Sequence, residues 1–93
     1  MFFHLHLAGR LKEIVNRGGE KVSPREVDEA LLLHPDVAEA AAFAVPHPTL
    51  GEDLAAAVVL RAGARADESG LRRFLSARLA DCKVPACIVF VGA

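Results

Sequence analysis

Ninety-three residues, 53% of them hydrophobic, suit a single domain with a modest core, since a chain this short buries only a little over ~60% of its unfolded surface. Eleven basic residues against twelve acidic ones leave a net charge of −1, and the aromatics are five Phe with no Tyr or Trp. That balance excludes a general nucleic-acid or anionic-membrane binder and confines any anion binding to a local cluster. No stretch approaches the ~20 apolar residues of a membrane span.

The opening run Met1-Phe2-Phe3-His4-Leu5-His6-Leu7-Ala8 is apolar but lacks a basic start and is short for a signal peptide. It reads as an opening strand, or as a chain start that once followed more protein. Leu5 to Gly9 is expected to be a strand entering a turn, with Lys12 to Asn16 as its return. Arg10, Lys12, Arg17 and Lys21 then place four cations around Gly18-Gly19. Glycine permits positive φ and close approach of another molecule, Arg offers a planar fork, and Lys a point charge. This is the composition of an anion-handling loop. It is equally the composition of a tight hairpin with a solvated rim, and the residues alone leave both readings open.

A helix start follows. Ser23 stands at the N-cap, Pro24 at the first helical position, and Glu26 completes a Ser-x-x-Glu capping box. Val27, Ala30, Leu31 and His34 share one face, and the His34-Pro35 step ends the helix. Val37 to Val45 reads as a strand despite its alanines, because Pro35 and Pro46 bound it; Ala38, Ala40, Ala42 and Ala44 give it one smooth face. After a loop from Pro46 to Gly51, Leu54 to Leu60 reads as a second buried strand that pairs with the first as an antiparallel hairpin. Asp67 caps a helix expected to run to about Ala80, with Leu71, Phe74, Leu75 and Leu79 on its core face and Gly70 weakening its first turn. Lys83-Val84-Pro85 breaks the chain before a last strand, Cys87 to Val91. The expected fold is α+β, a small three-stranded sheet covered by two helices with an N-terminal β-hairpin, in one domain over residues 1–93.

Other reactive side chains lack the company that chemistry requires. His4 and His6 alternate along a strand but have no third metal ligand in view. Cys82 and Cys87 are too few for a disulfide framework or zinc site and read as reduced, partly buried thiols of a cytoplasmic protein. His47 lies between two prolines with no nucleophile nearby and is taken as structural. Ser23 is a cap, and neither it nor Ser76 has a nucleophile-elbow context.

The order of residues carries more than their composition. Gly9 to Val27, with Asn16-Arg17-Gly18-Gly19-Glu20-Lys21 and Ser23-Pro24-Arg25-Glu26-Val27 at its centre, closely resembles the hinge motif of the adenylate-forming enzymes, in its acyl-CoA ligase version. The likeness continues through His34-Pro35-Asp36-Val37-Ala38-Glu39-Ala40, Val45-Pro46-His47-Pro48 and Gly51-Glu52 to Lys83-Val84-Pro85, covering most of the chain. In that family a large domain binds ATP, Mg and the carboxylate, and a small C-terminal domain swings over it, first for adenylation and then for transfer to CoA. The resemblance implies that this chain is the small, mobile domain of a fatty-acyl or related CoA ligase, partnered by a large N-terminal ATP- and acyl-binding domain. Lys12 then resembles the hinge residue and Arg10 the arginine before it. Gly18 and Gly19 match the glycines beside the pantetheine tunnel, and Glu20 and Lys21 the segment facing the active site during thioester formation.

Family members continue past the Lys-Val-Pro strand into a segment ending in Gly-Lys, whose lysine supports adenylation. Here Val91-Gly92-Ala93 closes the sequence and no lysine, Lys83 included, fits that place. The resemblance therefore implies no catalytic residue in this chain, inactivity in isolation, and no tightly bound CoA or ATP. The contrasting expectation is a stand-alone protein-interaction module derived from the same domain, recognisable by an exposed apolar patch or a homodimer through Phe2, Phe3 and Leu5.

Overall fold

The structure, a computed structural model, describes residues 14–92. The elements run β1 (Val15–Arg17), β2 (Glu20–Val22), α1 (Pro24–Leu32), β3 (Val37–His47), β4 (Gly51–Leu60), α2 (Glu68–Ser76), a 3₁₀ turn (Asp81–Lys83) and β5 (Cys87–Phe90). β4 is the central strand. β3 pairs antiparallel along one of its edges, from Val37↔Leu60 to His47↔Gly51. The other edge is shared by β1, through Arg17↔Gly51, and by β5, parallel from Ala55↔Cys87 to Val58↔Phe90.

The fold is α+β with two helices, as expected, but the sheet has five strands rather than three. β3, β4 and β5 are the three anticipated. The β1–β2 hairpin joins them because Gly51 extends β4 far enough to meet Arg17. The expected strand from Leu5 to Gly9, and most of its return, lie outside the described residues.

Both helices cover one face. Along β3 and β4 the even positions meet as Ala40↔Val58, Ala42↔Ala56 and Ala44↔Leu54, and these residues share one core with Val27, Ala30 and Leu31 of α1 and Leu71 and Leu75 of α2. Leu31, Leu54, Leu71 and Leu75 are fully buried, each stabilising the fold by about 1.5–3 kcal/mol. The alanines form a low floor that lets the helices approach the sheet, so a strand rich in a good helix former is held by tertiary packing against its local propensity.

The helix ends depart in detail from the sequence expectation. Ser23 is the extended N-cap residue with Pro24 behind it, but its side chain makes no cap bond. The Glu26 amide donates instead to the Ser23 carbonyl at 3.1 Å, and the Glu26 carboxylate turns away to Lys83 at 3.0 Å. The capping box is therefore not formed, because a long-range partner outcompetes the local one. His34 lies beyond α1, half-buried, with its ring edge-on to Phe74 at a centroid distance of 4.8 Å. Asp67 caps α2 as expected, accepting from the Gly70 amide at 2.8 Å. That helix stops at Ser76 rather than near Ala80, although Leu79 still packs on the core.

Side chains from the helices close the sheet edges. Asp28, buried on α1, accepts the Ala42 amide on β3 at 2.6 Å. Glu68, at the start of α2, accepts the Ile88 amide on β5 at 3.1 Å. Pro46 sits in β3, which pairs only with β4 among the described residues, where a strand tolerates a missing N–H.

Candidate functional site

The Gly18-Gly19 turn projects from the sheet on a short stiff hairpin. Val15 and Val22 pair at its base and are fully buried, which fixes the hairpin in the core. Asn16↔Lys21 and Arg17↔Glu20 complete the ladder, leaving a two-residue loop. Gly18 has φ 59° and Gly19 φ 94°, the mirror-image geometry that follows the twist of two-residue hairpins and that glycine adopts without strain. Asn16 Oδ1 accepts the Gly19 amide at 3.2 Å.

The two glycines face different surroundings. A Cβ on Gly18 would come within 2.8 Å of Leu50 Cδ2, and the Gly18 amide donates to the Leu50 carbonyl at 3.1 Å. A Cβ on Gly19 would meet nothing within 4 Å. Glu20 and Lys21 are exposed beside it. The turn thus presents bare backbone to solvent on the Gly19 side and rests on Leu50 on the other.

The support beneath Leu50 is equally defined. His47 Nδ1 accepts the amides of Thr49 and Leu50 at 3.2 and 3.0 Å, closing the turn between β3 and β4. Its role is to shape that turn. Asn16 donates its amide to Glu52 Oε1 at 2.8 Å, which tethers β1 to the first residues of β4.

Arg17 is the largest departure from the sequence reading. Counted there among four cations around the glycines, its side chain is mostly buried and turned inward. Its Nε meets Asp53 Oδ1 at 2.7 Å, and its Nη1 donates to the carbonyls of Cys82 and Val84 at 3.0 and 2.7 Å. Lys83, within the same stretch, pairs with Glu26. Arg17 is therefore committed to the protein, and of the two described cations beside the glycines Lys21 is the exposed one. Nothing local in the sequence announces this contact, since its partners lie 65 and 67 residues away. The Gly51-Glu52-Asp53 step was the available signal, of which only Gly51-Glu52 enters the motif.

Gly18, Gly19, Glu20 and Lys21 are brought together on one hairpin. Arg10 and Lys12, the expected hinge, lie outside the described residues, as do His4, His6, Phe2, Phe3 and Leu5. Cys82 is half-buried, Cys87 is exposed rather than partly buried, and both are free thiols. Among the described residues no three His, Cys, Asp or Glu side chains cluster as a metal site, and no helix is long and apolar enough to cross a membrane.

The comparisons with known proteins agree with this geometry. A family model described as the AMP-binding enzyme C-terminal domain matches residues 26–93. A probable CoA ligase of Humulus lupulus is 55% identical over 82 residues, which are 88% of this chain and 16% of that protein. An oxalate–CoA ligase of Arabidopsis thaliana is 50% identical over the same shares. The solved structure of a Mycobacterium tuberculosis fatty acyl CoA synthetase superimposes with a TM-score of 0.82 at 33% identity, over 90% of this chain and 16% of that one. The chain spans about a sixth of the length of the relatives it matches.

Proposed function

The chain belongs to the AMP-binding enzyme C-terminal domain family, and from that premise we propose that it serves as the small mobile domain of a carboxylate–CoA ligase. Its partner is a large N-terminal domain that binds ATP with Mg and the acid, activating the carboxylate as an acyl-adenylate. The chain contributes the wall along which the CoA thiol reaches that adenylate. The hinge role falls to Arg10 and Lys12, and the acid is selected in the large domain, fatty acids being one class it would take. We assign the complete ligase to the cytoplasm, in keeping with two free thiols.

The observation that carries this reading is the open side of Gly19. A flexible pantetheine arm needs a narrow, rigid passage, and an exposed backbone at positive φ supplies one without a side chain to obstruct it. The hairpin is held by the buried Val15–Val22 pair, so the wall keeps its position when the domain moves. Glu20 and Lys21 follow the turn on the exposed strand, where Lys21 offers a point charge to an anionic visitor. The part assigned to the chain is that of a wall. It positions the thiol and excludes water around the adenylate.

The test joins this chain to the large domain of the Mycobacterium tuberculosis fatty acyl CoA synthetase and supplies a preformed fatty acyl-adenylate with CoA. Thioester should form faster than with the large domain alone. A rate no different from the large domain alone would overturn the assignment.

A further inference from the structure

We propose that Arg17 is the positioning residue of this site, holding the Gly18-Gly19 turn in register with the neighbouring Asp81–Val84 stretch; this rests on the CoA-wall reading above. Three bonds converge on one guanidinium. The Nε–Asp53 pair at 2.7 Å fixes β1 to β4, and the two Nη1 bonds to the Cys82 and Val84 carbonyls fix β1 to the chain that follows α2. The geometry requires a planar fork, because the carboxylate and the two carbonyls are met from different nitrogens; a lysine ammonium is a single point and cannot span them.

The consequence is mechanical. Arg17 directly precedes Gly18, and its backbone pairs with Gly51, next to the Leu50 carbonyl that receives the Gly18 amide. Asp81–Val84 is also tied to α1 by the Lys83–Glu26 pair at 3.0 Å. The turn and the 3₁₀ stretch, separated by more than sixty residues, therefore move as one body through Arg17. Mostly buried charge-assisted bonds are costly to break singly, so the three contacts are made or lost together.

The experiment compares Arg17→Gln, Arg17→Lys and Asp53→Asn in the isotope-labelled chain by amide exchange and chemical shift. Arg17→Gln is expected to speed exchange of the Gly18 amide by about tenfold or more and to move the shifts of Gly18, Gly19 and Lys83 together. Protection at Leu31 and Val58 in the core should stay as it was. Arg17→Lys should rescue little, and Asp53→Asn should reproduce part of the effect. Shifts limited to Arg17 and Asp53, full rescue by lysine, or loss of protection throughout the core would each overturn the proposal.

In the joined ligase, Arg17→Gln should raise KM for CoA about tenfold with little change in kcat. An unchanged KM, while Gly19→Leu still blocks thioester formation, would sink the role of Arg17 and leave the CoA wall standing. Gly19→Leu without effect would instead strike at the wall itself.

Discussion

The Asp28 carboxylate accepts the Ala42 amide at 2.6 Å, so a helix residue closes a bond that the outer side of β3 would otherwise offer to another chain. Asp28 is also the one buried charged residue among those described. Replacing it with alanine leaves a buried amide without its acceptor, which costs about 1–3 kcal/mol. Urea denaturation of Asp28→Ala should show a lower midpoint with an unchanged slope. An unaltered midpoint would mean that the bond is dispensable.

Glu68 does the same for β5 through the Ile88 amide, and Arg72 adds a weaker contact to the Ala86 carbonyl at 3.4 Å. Glu68→Ala should cost about 0.5–1.5 kcal/mol, because the contact is part-buried and water can replace it. Combined with Asp28→Ala it removes the side-chain acceptor from both β3 and β5. The double variant is expected to self-associate in sedimentation velocity while each single variant does not. Association of neither, at equal stability loss, would contradict the edge-closing role.

The turn glycines should respond unequally. Gly18 lies at φ 59°, a conformation Asn adopts, and the atom it would press on is the tip of the half-exposed Leu50 side chain. Gly18→Asn should change stability by no more than about 0.5 kcal/mol. Gly19 at φ 94° has room for a Cβ but strained backbone, and Gly19→Ala should cost about 1–2 kcal/mol. Thermal unfolding of the pair orders them, and the reverse order would argue against this turn geometry.

The alanine floor sets the helix-to-sheet spacing. Ala56 is fully buried opposite Ala42, so Ala56→Leu should overpack the core and cost about 1–3 kcal/mol. Ala38, exposed near the start of β3, should accept leucine within about 0.5 kcal/mol. Equal effects at the two sites would contradict the assigned faces.

What was legible in the sequence was local. Ser23-Pro24 marked the start of α1, Asp67 the start of α2, and Pro35 one end of the alanine strand, because each acts on backbone within three residues of itself. Pro46 misled by a little. It reads as a stop, yet β3 continues to His47 since an outer strand needs no donor there. Gly51 likewise reads as a turn residue, and its φ of 86° explains why β4 looked shorter than it is. The hairpin's place in the sheet and the commitment of Arg17 were illegible for a different reason. Both depend on contacts between distant segments, which no periodicity or capping rule encodes. The candidate site was readable as a glycine turn among charges, but which charge faces solvent followed only from the fold.

In the proposed ligase the Gly18-Gly19 turn lines the path of CoA to the acyl-adenylate. This is tested most directly by Gly19→Leu in the ligase assembled with this chain as its small domain, following adenylate formation and thioester formation separately. Leucine at Gly19 meets no atom of the domain within 4 Å at its Cβ, so its bulk falls in the space assigned to the thiol arm. Thioester formation should fall by at least about 100-fold, with adenylation unchanged. Thioester formation at the original rate, or an equal loss of both steps, would contradict this assignment.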